Sequence, residues 1–124
     1  MNALYYGDNL KVLRDSIADE SVDLIYLDPP FNSNANYNIL FKAPTGERSQ
    51  AQIEAFEDTW HWTTDEGGAA DAFDQVLKSE HSEAAIMLRA MHSALGENDM
   101  MAYLSMMAVR LIELHRVLKA KGSI

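Results

Sequence analysis

Apolar and polar positions along this chain alternate between two periods, and the changes of period mark out its elements. Ala3-Leu4-Tyr5-Tyr6 is a short apolar and aromatic run that Gly7-Asp8 interrupts, which predicts a first strand. Asp8 is suited to cap a helix, and Leu10, Leu13 and Ile17 then recur at helical spacing on one face. After the polar break Ala18-Asp19-Glu20-Ser21, the stretch from Val22 to Leu27 is nearly continuous in apolar character. It predicts a second strand covered on both faces. Strand, helix and strand in such a short span form a βαβ unit, with parallel strands and a right-handed crossover.

Downstream, Asn32, Asn34, Asn36 and Asn38 alternate through a polar stretch that contains Tyr37, which reads as loop. Pro44-Thr45-Gly46 predicts a turn, and a short helix is expected over 50–56. Ala69 to Lys78 predicts a helix carrying Phe73, Val76 and Leu77. Another is expected from Ser82, with Ala85, Leu88, Met91, His92 and Leu95 on one face and Gly96 as its stop. Asn98 or Asp99 is placed to cap the longest helix, which is expected to reach about Lys119. Its core stripe would be Met100, Leu104, Met107, Leu111, Leu114 and Leu118. Lys119 and Lys121 would then face its negative end, with Gly122-Ser123-Ile124 turning into a further strand. The fold class expected from this order is α/β, with parallel strands, flanking helices and a long C-terminal helix.

Composition narrows the picture. With 124 residues the chain suits one domain, and the absence of cysteine excludes disulfides and thiolate metal sites. No apolar run reaches membrane-spanning length and no signal-peptide pattern opens the chain, so a soluble cytoplasmic protein without membrane partners is expected. The net charge of −9 opposes a free-standing DNA-binding module. It is concentrated in one segment, however. Thr45 to Glu83 holds ten acids against Arg48 and Lys78, whereas the C-terminal part is mildly basic. A nucleic-acid enzyme whose basic groove lies elsewhere stays compatible with this distribution.

The stretch with the most chemistry is Asp28-Pro29-Pro30-Phe31. Two prolines cannot donate to a ladder, so the second strand must end at Asp28 and give way to a rigid loop. Ligands of open parallel sheets bind outside the carboxyl ends of the strands, which makes this loop a candidate active-site edge. As a bare string the four residues also suit a simple turn; their place after a buried strand favours the functional reading. Because parallel strands end on one rim, the βαβ topology would bring Asp8 and Asp28 side by side. Trp60-His61-Trp62 fits core packing better than base stacking, and His61 has no second histidine at metal-binding spacing.

Leu-Tyr-Tyr-Gly-Asp-Asn-Leu at 4–10, with Ser-Val-Asp-Leu-Ile-Tyr-Leu-Asp-Pro-Pro-Phe-Asn at 21–32, resembles the start of an amino-methylating DNA methyltransferase. The similarity is to the permuted group in which the Asp-Pro-Pro-Tyr/Phe motif precedes the cofactor glycine motif. Leu114 to Lys119 followed by Gly122-Ser123-Ile124 resembles the helix and turn leading to the next strand of that fold, so the similarity touches both ends of the chain. It implies a partial Rossmann-like methyltransferase fold and an adenine-specific enzyme of the restriction–modification type. Such an enzyme transfers a methyl group from S-adenosylmethionine to the exocyclic amine of a flipped base in DNA. On that reading Asp28 and the Pro29 carbonyl accept the amine hydrogens, Pro30 stiffens the loop and Phe31 stacks on the base. Asp8 would lie near the adenine end of the cofactor, or serve as a helix cap, or both. Asn32, Asn34 and Tyr37 are candidate substrate-binding residues, though the asparagines serve equally well as turn formers.

The family's Phe-x-Gly-x-Gly cofactor turn is not found among the six glycines, and no target-recognition region is evident. Residues 1–124 are therefore expected to be a single incomplete domain, the N-terminal catalytic-motif part of a longer enzyme, inactive alone. The expected partners are DNA and the missing C-terminal part, with self-association as a way to cover apolar surface. Two other readings compete. One is a divalent-metal phosphohydrolase using Asp8 and Asp28 as ligands; the other is a non-catalytic assembly remnant.

Overall fold

The first helix begins where an acid can serve its free amides. Asp8 accepts from the Leu10 N–H at 2.8 Å and so caps α1 (Asn9–Ser16). This computed structural model describes residues 2–29 and 60–124. After α1 the described elements are β1 (Val22–Leu24), α2 (Ala69–Leu77), α3 (Ser82–Leu95), α4 (Asp99–Val117) and β2 (Leu118–Ser123). Among the described residues this is a mixed α/β arrangement of four helices and a two-stranded parallel sheet. The expected turn at Pro44 to Gly46 and helix over 50–56 lie outside the described residues.

Local signals set the helix ends. Gly96 closes α3 with φ at 73°, a left-handed conformation in which its N–H reaches the His92 carbonyl at 2.9 Å. Asn98 then joins two helices. Its amide donates to the last carbonyl of α3, Leu95, at 2.9 Å, and its oxygen accepts from Met101 N–H of α4 at 2.9 Å. At the far end of α1, Arg116 of α4 donates to the Leu13 and Ile17 carbonyls at 2.7 and 3.2 Å. A side chain from the longest helix thus satisfies the exposed end of the shortest.

Helix α4 packs against α1, α2 and α3. The core gathers Ala72 and Val76 of α2, Leu88 of α3, and Met101 and Val109 of α4, with Leu10 and Trp62 packed against them. The buried positions of α4 are Met101, Ala102, Ser105, Val109, Arg110, Leu114 and Val117. Of the expected stripe Leu114 is buried, whereas Met100 and Leu111 are exposed. Three neighbours surround this helix, so no single-face pattern describes it. Small residues at 102 and 105 allow close helix approach at a place that hydrophobicity alone does not mark.

The sheet departs from expectation at both ends. The chain leaves α4 at Val117 and is already extended at Leu118, so Lys119 and Lys121 lie on β2, and the Lys119 ammonium donates to Asp23. Residues 3–6 form no ladder, and the expected first strand is absent from the sheet. Tyr5 and Gly7 instead line a cleft of about 420 Å³ together with Leu24 to Leu27. A strand is held by a ladder of hydrogen bonds to a neighbouring strand, and residues 3–6 are not part of the ladder between β1 and β2. The second strand is shorter than its apolar run, spanning Val22–Leu24, with pairing extended by Ile25 N–H to the Ser123 carbonyl at 2.9 Å. No helix among the described residues is long and apolar enough to cross a membrane.

Candidate functional site

Beyond β1 the chain runs through Ile25, Tyr26 and Leu27 to Asp28, which is exposed, and Pro29, which is half-buried. No cation or hydrogen-bond donor among the described residues is paired with the Asp28 carboxylate. Pro30, Phe31, Asn32, Asn34 and Tyr37 lie outside the described residues. What is described of the loop is therefore an open carboxylate and the proline that follows it.

Asp8 has a different environment. Besides capping α1, its two carboxylate oxygens accept from Arg110 Nη2 at 3.0 and 3.2 Å. Arg110, only 8% exposed, also donates through Nε to Asn9 Oδ1 at 2.8 Å and through Nη1 to the Met106 carbonyl at 2.9 Å. Its guanidinium carbon lies 5.5 Å from the centre of the Trp60 ring, and that ring stacks on Tyr103 at 5.3 Å. A buried guanidinium must find acceptors, and Gly7-Asp8-Asn9 is bent around α4 to supply them. The loop that opens α1 is held by an arginine one hundred and two residues away in the chain.

The shared rim of Asp8 and Asp28 was expected from two parallel strands, and the first of those is missing from the sheet. The topological reason for pairing the two acids is thereby removed, and Asp8 already has a cation. Among the described residues, no group of three or more His, Asp or Glu side chains could hold a metal ion. Both oxygens of Asp8 are engaged by Arg110, and Gly7 beside it takes φ of 135°.

Trp60, His61 and Trp62 take up packing roles. Trp62 packs on the core with its ring 6.1 Å from Phe73 and 5.5 Å from His92, and His61 Nδ1 lies 2.9 Å from Asp99 Oδ1. The residue that sequence reasoning passed over is Arg110. Its signal was a lone cation inside the apolar stretch of the longest helix, since charges there are seldom buried without a partner. Comparisons with protein-family models, with curated proteins and with solved structures find no match for this chain.

Proposed function

We propose that this chain is the base-activating segment of an adenine-specific DNA amino-methyltransferase, with Asp28-Pro29-Pro30-Phe31 as the loop that receives a flipped base. The observation that carries this reading is the exposed, unpaired Asp28 carboxylate a few residues beyond a parallel strand, followed at once by Pro29. The other acid singled out in the sequence, Asp8, is held by Arg110 and by the helix it caps, whereas Asp28 is open to a substrate.

The lone pair of an exocyclic amine is delocalised into the ring and makes a poor nucleophile. One amine hydrogen donated to Asp28 and the other to the Pro29 carbonyl draw the nitrogen toward a tetrahedral geometry. The lone pair then becomes available for attack. Proline on both sides of that carbonyl limits its movement. Phe31 stacks on the extruded base, a contact worth about 1–3 kcal/mol in nucleic-acid complexes. The methyl group would come from S-adenosylmethionine bound to another polypeptide segment that carries the glycine turn. Phosphate contacts would come from there too, because a chain of charge −9 repels DNA.

The test mixes this chain with a polypeptide supplying a Phe-x-Gly-x-Gly turn and a DNA-recognition region, and follows labelled methyl transfer to adenine. Incorporation is expected, falling by about a hundredfold or more for Asp28→Ala, as for loss of a group that handles the amine protons. Circular dichroism should be unchanged in that variant, since Asp28 is exposed. Transfer that survives Asp28→Ala refutes the assignment. By itself the chain is expected to give no S-adenosylmethionine binding in the micromolar range by titration calorimetry.

A further inference from the structure

The two strands of the sheet treat their edges differently. Ile25 N–H donates to the Ser123 carbonyl at 2.9 Å, and Leu24 is the residue that faces Ser123 in the parallel register. Residues 23 and 25 therefore direct their backbone groups to β2. By the alternation of a strand, Val22 and Leu24 direct theirs to the opposite edge, where no described strand lies. β2 carries exposed Lys119 and Lys121, charges that discourage further edge pairing. The only charge within β1 is Asp23, and Lys119 holds it at 2.9 Å. Leu24 is 69% exposed, and Tyr26 just beyond is 90% exposed. The cleft alongside, about 420 Å³ in volume, is lined mainly by apolar residues, among them Val12, Leu13, Ile17, Leu114 and Val117, with Tyr5 and Asn9 of the N-terminal run also in its wall. A donor–acceptor row next to an apolar trough asks for backbone on one side and aliphatic side chains on the other.

We propose that the outer edge of β1 and this cleft take up an additional β-strand from another polypeptide, an extended apolar segment with basic ends. The row of backbone groups specifies an extended chain, as in strand addition to a sheet edge. The lining specifies apolar side chains. The basic ends follow from exposed Glu20 just before β1 and exposed Asp28 just after it, on a chain of net charge −9. The same carboxylates oppose a second copy, since an antiparallel partner would set Glu20 of one chain near Asp28 of the other. This docking stands whether or not the Asp28 loop handles a base.

The probe is a short peptide of alternating valine and threonine with a lysine at each end, added to the labelled full chain and followed by amide NMR. Saturable changes are expected at Val22 and Leu24 and at the methyl groups of Val12, Leu13 and Ile17. Exchange of the Leu24 amide should slow by at least about tenfold. The same peptide with methylated backbone nitrogens, or with glutamate ends, should bind at least about tenfold more weakly. Leu24→Pro removes an outward N–H that β2 does not use, and Leu24→Lys leaves the backbone intact but charges the edge; both should abolish the effect. The proposal is overturned if the methylated peptide acts equally well or if Leu24 does not respond. It is equally overturned if the chain alone shows the same protection with a dimer mass in sedimentation, which would make a second copy the occupant.

Discussion

Replacing Asp8 by alanine removes two interactions at once, and the geometry gives their sizes. The first is the cap on α1, where the carboxylate accepts from Leu10 N–H; losing such a cap costs about 1 kcal/mol. The second is the acceptor for Arg110 Nη2, and leaving a buried donor without its partner costs about 1–3 kcal/mol. The lower end of that range applies here. Arg110 keeps Asn9 and the Met106 carbonyl, and the Asp8 side chain is 56% exposed, so water can approach the vacated position. The expected loss is about 2 kcal/mol in urea unfolding followed by far-ultraviolet circular dichroism. Asp8→Asn keeps a good cap and one acceptor oxygen while removing the charge, and should cost about 1 kcal/mol or less. Arg110→Met should abolish the difference between aspartate and asparagine at position 8, because the charge at 8 then has no partner. A loss below about 0.5 kcal/mol for Asp8→Ala would refute the reasoning, as would equal losses for alanine and asparagine.

Three more outcomes follow from single positions. Ser105 is fully buried and its hydroxyl has no hydrogen-bond partner among the described residues, so Ser105→Ala should stabilise the chain by about 1 kcal/mol in the same unfolding assay. Gly96→Ala should cost about 1–2 kcal/mol, because φ is 73° there while the space around an added Cβ is open, so the whole penalty is backbone strain. The Lys11 ammonium is held above its ordinary 10.5 by its hydrogen bond and charge contact with Asp15. A raised folded value means that the pair's contribution is full below that ordinary value and is lost as pH rises through the folded one. NMR titration of Lys11 should therefore show its pKa fall in Asp15→Asn, with no stability difference between the two proteins once the lysine is neutral.

The helices were legible because their causes are local. Asp8, Gly96 and Asn98 act on amides and carbonyls within four residues, so the start of α1, the end of α3 and the start of α4 can be read directly from the chain. The run before Asp28 announced a strand for the same reason, since two prolines cannot continue a ladder. The strand itself is shorter than the run, Val22–Leu24, because its length depends on its pairing with β2.

What only the tertiary structure decided is everything that depends on distant partners. Residues 3–6 have the composition of a strand but no neighbour in the described sheet, and strand formation depends on the neighbour. Helix α4 is buried by three helices, so its inward positions follow from their arrangement and not from one apolar stripe. Asp8 reads equally well as cap or ligand from its own surroundings in the chain. Arg110, brought against it by the packing of α1 on α4, makes it an ion-pair partner as well as a cap. Sequence determined the helix starts at Asp8 and Asn98 and the helix stop at Gly96, because those interactions span a single turn. Tertiary structure decided that Asp8 is paired, because that depends on where a buried arginine finds its acceptors.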